Sequence, residues 1–358
     1  MKIVTVIGAR PQFIKAAALS RVLRREHQEL LIHTGQHFDP NMSDIFFEEL
    51  GIPHPDYNLG ISGGSHAQMT GKMLIAIEEV LVKEKPDALL VYGDTNSTMA
   101  GALAAVKLHI PIIHVEAAAR LGTLSNPEEV NRIVTDHLST LLFACVPSAM
   151  EFAKKEGLTR NLHLVGDPMY DAFLYYKGRK ALGDIKLKTL DGELEAVPKQ
   201  FNYLTCHRQE NTQSDDSLRA ILQAMEQLDF PAVYPVHPRN QAAARRLKAE
   251  GTLKNILFIE PVGYLESNTL VGHADRIVTD SGGVQREAFF ASKPCVTVFD
   301  YEAWPETMIN KCNQLAKADT ADILAKCRIQ PVFDAAYKPF GDGHACEKIC
   351  DILRTFSL

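Results

Sequence analysis

Apolar runs at Ala88–Val91 and Ile112–Val115 close on Asp94 and Glu116, positions where a carboxylate is desolvated unless it is paired or used. A third carboxylate, Glu128, lies in Asn126-Pro127-Glu128-Glu129, whose capping residue, early proline and glutamate at the third helical position predict a helix start. Glu129 therefore reads as structural, and Glu128 reads either as a charge that suits a helix N-terminus or as an acid–base group. Carboxylates at such places can move protons or stabilise a developing cation. Gly8-Ala9-Arg10-Pro11-Gln12-Phe13-Ile14-Lys15 is a glycine turn with Pro11 suited to a first helical turn, so Arg10 and Lys15 either meet an anion or stay solvated. His207 and His237 each follow an apolar run and can act as proton donor or phosphate partner, or serve as satisfied structural histidines. Ser281-Gly282-Gly283 follows a strand and opens a helix that also carries Glu287. Unpaired N–H groups at such a start suit a diphosphate, although an ordinary strand-to-helix turn has the same composition.

These residues need a frame that gathers strand ends. Up to about residue 165, runs at Ile3–Ile7, Leu30–Ile32, Ala88–Val91 and Ile112–Val115 alternate with helical stretches starting at Pro11, Met42, Ser97 and Pro127. Strand–helix alternation predicts a parallel sheet whose C-terminal strand ends line the ligand crevice. A second set follows Gly166-Asp167-Pro168. It comprises a helix over Met169–Tyr176, a polar stretch from Lys177 to Gln200, and strands at Tyr203–Thr205, Ala232–Val236, Ile256–Ile259 and Arg276–Thr279, with helical periodicity over Asp216–Leu228 and Asn240–Glu250. His344–Phe356 reads as one more helix. The expected fold class is α/β with two doubly wound, Rossmann-like domains, 1–165 and 166–338, and a terminal segment 339–358.

At 358 residues with 46% hydrophobic composition, the chain can bury two cores. Its net charge is −6 with both signs interspersed, and no basic run interleaved with aromatics follows a nucleic-acid backbone. Met1-Lys2-Ile3 enters a strand at once and no apolar run reaches the roughly 20 residues of a membrane helix, so a cytoplasmic protein with neither nucleic-acid nor membrane partners is expected. The 7 cysteines lack any CxxC pair and read as buried thiols; Cys346 and Cys350, at i, i+4, have no further partner at ligand spacing, and no metal is expected. Neither GxGxxG after a strand nor a P-loop occurs, so no redox cofactor is expected.

The segments GARPQFIK at 8–15, HTGQH at 33–37, YGDTNST at 92–98, HVEA at 114–117, PEEVNR at 127–132, HRQEN at 207–211, HPR at 237–239 and DSGGVQREA at 280–288 carry a resemblance over nearly the whole length. By their order and spacing the chain resembles the non-hydrolysing UDP-N-acetylglucosamine 2-epimerases and their relatives acting on UDP-2,3-diacetamido-2,3-dideoxyglucuronate. The resemblance implies the GT-B architecture, two Rossmann-like domains facing across a cleft with a C-terminal helix crossing back to the first. It implies Asp94, Glu116 and Glu128 as acid–base carboxylates, with His207 also catalytic, and Arg10, Lys15, Asn96, Arg132 and His237 as substrate-binding. Ser281, Gly282 and Gly283 would hold the diphosphate and Glu287 the ribose. It further implies a UDP-sugar substrate, no cofactor, a homodimer, a role in surface polysaccharide precursor synthesis, and Gln36, His37 and Gln68 as places for allosteric activation.

In the family's route UDP leaves carbon 1 as the carbon 2 proton is removed, giving a 2-acetamidoglycal to which UDP adds back with protonation on the other face. Three positions depart from the family pattern. Ala118 replaces a glycine, and is strained if that position needs a positive φ. Trp304 stands where many members have arginine, and Gln12 replaces a glutamate. Loss of that negative charge near the sugar would suit an acidic, diacetamidouronate substrate. A GT-B glycosyltransferase would share the fold and the cradle but leaves the carboxylate set unexplained. A catalytically silent UDP-sugar sensor remains open through Ala118.

Overall fold

The computed structural model describes residues 1–36, 47–212 and 214–356. His37 and the expected helix start at Met42 lie outside the described residues. The chain divides into two compact units, one of Met1–Tyr175 with Lys338–Leu358, the other of Tyr176–Tyr337.

The first unit carries β1 (Lys2–Ile7), β2 (Gln28–His33), β3 (Tyr57–Asn58), β4 (Ala88–Tyr92), β5 (Ile112–Val115), β6 (Leu141–Ala144) and β7 (Leu162–Leu164). All pair in parallel, in the order β3-β2-β1-β4-β5-β6-β7. Helices α1 (Arg10–Leu23), α2 (His66–Glu84), α3 (Asn96–Lys107), α4 (Pro127–Leu138), α5 (Pro147–Lys155) and α6 (Pro168–Tyr176) connect and flank them. β4 is buried along its whole length and β1 over all but its first residue, which is why they read as continuous apolar runs. Val6, Leu89 and Val91 pack with Met73 and Ile77 of α2 and Ala100 and Ala104 of α3. Strand order reverses between β1 and β4, and at such a switch point the strand ends open a ligand crevice.

The second unit repeats the plan with β10 (Asn202–Thr205), β11 (Ala232–Pro235), β12 (Ile256–Ile259), β13 (Arg276–Thr279), β14 (Cys295–Val298) and β15 (Asn313–Ala316), parallel in the order β12-β11-β10-β13-β14-β15. Its switch point lies between β10 and β13. The helices are α7 (Gln209–Thr212), α8 (Asp215–Glu226), α9 (Gln241–Ala249), α10 (Tyr264–His273), α11 (Gly282–Phe290) and α12 (Thr320–Cys327). The stretch expected to be merely polar contains an antiparallel hairpin, β8 (Lys186–Lys188) and β9 (Leu194–Ala196). Its backbone covers the edge strand β12, through Leu190 N–H to Phe258 O at 3.1 Å and Glu260 N–H to Lys188 O at 2.8 Å.

The tail forms α13 (Ala345–Thr355), which buries Ala345, Cys346, Ile349, Cys350 and Leu353 within the first unit. α6 belongs to that unit too, although the sequence groups it with the second set. Asp171 on α6 accepts the Cys346 N–H at 2.7 Å, and Asp167 N–H donates to Phe340 O at 2.9 Å. Gly166, at φ +94°, brings its backbone so close to Phe340 that a Cβ would lie 2.9 Å from that carbonyl oxygen. Arg354 closes the helix on Glu26 at 2.5 and 2.8 Å. Among the described residues no helix is long and apolar enough to cross a membrane.

Candidate active site

The turn after β1 is held by one side chain. Gln12, 1% exposed, accepts the N–H groups of Gly8 at 2.8 Å and Ala9 at 3.0 Å through Oε1. Its Nε2 donates to Tyr92 O at 2.8 Å and approaches the hydroxyls of Thr95 at 3.0 Å and Thr98 at 2.9 Å. Both ends of the amide are thus engaged in tying the β1–α1 turn to the β4–α3 turn. The side chain faces backbone and hydroxyls of its own unit, and a carboxylate in its place could not donate to Tyr92 O.

Around this clamp the sequence-predicted residues gather. Lys15 on α1 forms an ion pair with Glu116, just past β5, and both are buried. Asp94, just past β4, pairs with Arg132 of α4. Asn131 donates to Asp94 O at 2.9 Å and to the Asn96 side chain at 3.3 Å. Burial alone would lower the Arg132 pKa, but Asp94, Glu116 and Glu129 keep it raised, so the guanidinium stays charged. A Cβ on Gly93 would lie 3.5 Å from a Glu116 oxygen and 3.6 Å from Lys15 Nζ, which places both pairs in one region at the switch point. Arg10 sits half-buried at the first position of α1. Glu128 is half-buried one turn before Arg132 and enters neither pair. Glu129 accepts the N–H groups of Leu121 at 2.9 Å and Gly122 at 3.0 Å, a structural role.

The turn after β5 is strained. Glu116 has φ +67° and Ala118 φ +61°, the left-handed region that costs a non-glycine residue energy. Asp136 holds this turn: both of its oxygens lie within 3.1 Å of the Ala118 N–H, and it also binds His114 Nδ1 at 2.7 Å and Arg120 at 2.6 Å. Burial would raise the Asp136 pKa, but His114 and Arg120 hold it below the usual value. Sequence reasoning missed this support because Asp136 lies in the last turn of α4 and closes no strand.

In the second unit His207 follows β10, and its Nδ1 lies 3.0 Å from Asp280, the residue after β13. The His237 ring lies 5.8 Å from that of His207, centroid to centroid. Ser281 caps α11, accepting the Val284 N–H at 3.3 Å. Gly282 has an evident reason to be glycine, since a Cβ there would stand 3.2 Å from Trp304 Nε1. Arg286 lies over the Trp304 ring at 4.1 Å, so an arginine at 304 would set two guanidinium groups together. Gly283 is half-buried beside Gly282, and Glu287 is buried one turn further along α11.

Gln36 accepts from the Ser97 N–H at 3.1 Å and hydroxyl at 2.7 Å. Gln68 accepts the Ser65 N–H at 3.1 Å in the capping box of α2. Both therefore have structural duties at helix starts. Among the described residues one acidic and thiol cluster, Glu116, Cys145 and Asp167, has ligand atoms within 4.8 Å of one another. The Lys15 ammonium on Glu116 already supplies a cation to it.

Residues 21–354 match the family described as UDP-N-acetylglucosamine 2-epimerase. A UDP-N-acetylglucosamine 2-epimerase homolog of Methanococcus maripaludis is 45% identical over 99% of both chains. The UDP-2,3-diacetamido-2,3-dideoxy-D-glucuronate 2-epimerase of Pseudomonas aeruginosa is also 45% identical, again over 99% of each. The crystal structure of Methanocaldococcus jannaschii UDP-GlcNAc 2-epimerase in complex with UDP-GlcNAc and UDP superposes with a TM-score of 0.88 at 37% identity, covering 99% of this chain and 100% of that one. The fold class is accordingly GT-B, α/β with two Rossmann-like doubly wound units. The chain belongs to the UDP-N-acetylglucosamine 2-epimerase family and is an isomerase.

Proposed function

We propose that the protein interconverts UDP-N-acetylglucosamine and UDP-N-acetylmannosamine by eliminating UDP to a 2-acetamidoglycal and adding it back. The observation that carries this reading is the joining of Asp94 to Arg132 and of Glu116 to Lys15 at the switch point of the first unit. Carbon 2 has no adjacent carbonyl to acidify its proton, so removal must accompany loss of the diphosphate from carbon 1. Carboxylates at this place can accept the carbon 2 proton and stabilise oxocarbenium character. Glu128, Arg10, Asn96 and His237 join them as substrate groups in this reading. Ser281 to Gly283 at the α11 start would take the diphosphate, Glu287 the ribose, and His207 a proton at the diphosphate. A homodimer acting in surface polysaccharide precursor synthesis belongs to the same proposal.

A second substrate reading, UDP-2,3-diacetamido-2,3-dideoxyglucuronate, is favoured by one observation. Identity to the Pseudomonas enzyme is 45%, equal to that of the Methanococcus maripaludis homolog and above the 38% and 40% to two archaeal proteins named UDP-N-acetylglucosamine 2-epimerase. Incubation with each UDP-sugar in deuterium oxide, followed by proton NMR of the anomeric signals, tests both. A new anomeric signal with deuterium at carbon 2 is expected from the true substrate. Product that keeps its original hydrogen at carbon 2 would rule out the elimination route through solvent-exchanging carboxylates.

A further inference from the structure

We infer that Asp280 is a positioning residue that fixes the working orientation of His207, so that the two form a carboxylate–histidine dyad at the departing diphosphate. The inference rests on the proposed elimination of UDP. β10 and β13 are the two central strands of the second sheet, and Thr205 stands in register with Thr279. The chain leaving each strand then brings His207 and Asp280 together at the switch point. Asp280 is 1% exposed, and beside the Cys206 thiol its carboxylate collects four kinds of N–H donor. These are His207 Nδ1 at 3.0 Å, the His207 N–H at 2.9 and 3.0 Å, the Arg208 N–H at 2.9 Å, and the Asn211 amide at 3.2 Å.

Burial by itself would raise the Asp280 pKa, but the hydrogen bond and charge of His207 and the two backbone N–H groups hold it at about 2. The group is therefore an anion at neutral pH. An anionic acceptor at Nδ1 keeps a proton on that nitrogen and leaves Nε2, on a side chain 41% exposed, to meet a ligand. Other titratable groups stand close to the pair, among them the Cys206 thiol on Asp280, a thiol whose pKa burial pushes well up. Arg208 donates through Nε to Asp280 O at 3.0 Å, Arg239 donates to His207 O at 3.2 Å, and the His237 ring stands 5.8 Å away. Asp280 also directly precedes Ser281, the cap of α11. One short segment thus sets both the histidine and the helix start assigned to the diphosphate.

The chemistry balances. As the carbon 1–oxygen bond breaks, its electron pair stays on the diphosphate oxygen, and the carbon 2 proton passes to a carboxylate. Protonated His207 gives its Nε2 proton to the diphosphate and is left neutral with the Nδ1 proton held by Asp280. The electron pair of the carbon 2–hydrogen bond becomes the carbon 1–carbon 2 double bond. On re-addition His207 takes its Nε2 proton back from the diphosphate, and carbon 2 receives a proton on the opposite face from a second carboxylic acid, so that the epimer forms.

The test uses the full chain with Asp280→Asn, His207→Asn and the double variant. It reads kcat against pH for the UDP-sugar that turns over, UDP affinity by calorimetry, and the ¹⁵N imidazole shifts of His207. Asp280→Asn is expected to lower kcat by at least about tenfold and to shift the pH profile, and the double variant to be no slower than His207→Asn alone. Neutral His207 should carry its proton on Nδ1 in the wild type and lose that preference in Asp280→Asn. Losses that multiply, or an imidazole tautomer indifferent to Asp280, would show a purely structural aspartate and overturn the dyad. If Asp280→Asn does not fold, the wild-type spectrum decides, and a neutral ring protonated on Nε2 refutes the inference. A wild type that binds UDP but converts neither sugar would remove the proposed function, while the ¹⁵N spectra would still decide the dyad.

Discussion

Gln12 and Ala118 show how a single position acquires meaning only from what surrounds it. Both are visible in the sequence as departures from a family pattern, yet the sequence holds no sign that Gln12 spends its donor and its acceptor on the two turns of its own unit. Long-range partners such as Tyr92, 80 residues away, leave no local trace. Asp94 and Glu116 were legible because each closes an apolar strand, where an unpaired carboxylate would be costly. Asp280 closes β13 in the same manner, and the same signal applied there would have found it. For Ala118 the condition stated from sequence is met, since φ is +61°. The turn nevertheless forms, because Asp136 grips the Ala118 N–H with both oxygens. Ala118→Gly should therefore relieve strain and leave turnover essentially unchanged. A left-handed alanine costs about 1–2 kcal/mol, and glycine gives back about 0.5–1 kcal/mol through its freer unfolded chain, so the expected net gain is about 0.5–1 kcal/mol. Urea unfolding of the two proteins reads this directly. An unchanged or lower midpoint would mean the turn carries no usable strain.

Elements with long apolar runs or clear caps are legible, and elements defined by their neighbours are not. β1 and β4 declare themselves because they are central and buried on both faces, whereas β3 has two residues and β7 three, too few for any period to show. The β8–β9 hairpin is hidden because in Lys186-Leu187-Lys188 only the middle side chain is buried. α13 is legible as a helix, but its cap is not. His344 makes no side-chain cap, and the N–H of Cys346 is taken by Asp171, 175 residues earlier. Asp171→Ala should cost about 1–2 kcal/mol, the range for a lost helix cap, and speed amide exchange in the first turn of α13. Asp171→Asn keeps an acceptor without burying a charge and should cost less. Burial raises the Asp171 pKa above its unfolded value, so the stability it contributes is full below the unfolded pKa and declines as pH rises through the folded one. The asparagine variant should lose that dependence. Equal losses in both variants at all pH values would show that packing, rather than the cap, holds the helix.

At the scale of the molecule, the same strand order appears twice and carries different chemistry each time. The first unit collects carboxylates paired with cations, and the second a histidine–carboxylate contact and a capped helix start. If the first serves the sugar and the second the nucleotide, substitutions should separate by unit. Asp94→Asn is expected to lower turnover by about a hundredfold or more while leaving UDP affinity unchanged, since a positioned acid or base contributes about 10²–10⁴. Glu287→Ala should weaken UDP itself. Trp304 offers a direct reading of the second site, because it is the single tryptophan of the chain and its indole lies against Gly282 and Arg286 at the start of α11. A diphosphate arriving at that helix start changes the field at the indole, so UDP should alter the tryptophan emission along the same saturation curve that calorimetry measures. Glu287→Ala should move both curves together, and Asp94→Asn neither. Calorimetric binding of UDP with silent Trp304 emission would place the diphosphate away from Gly282 and break the link between the α11 start and the nucleotide.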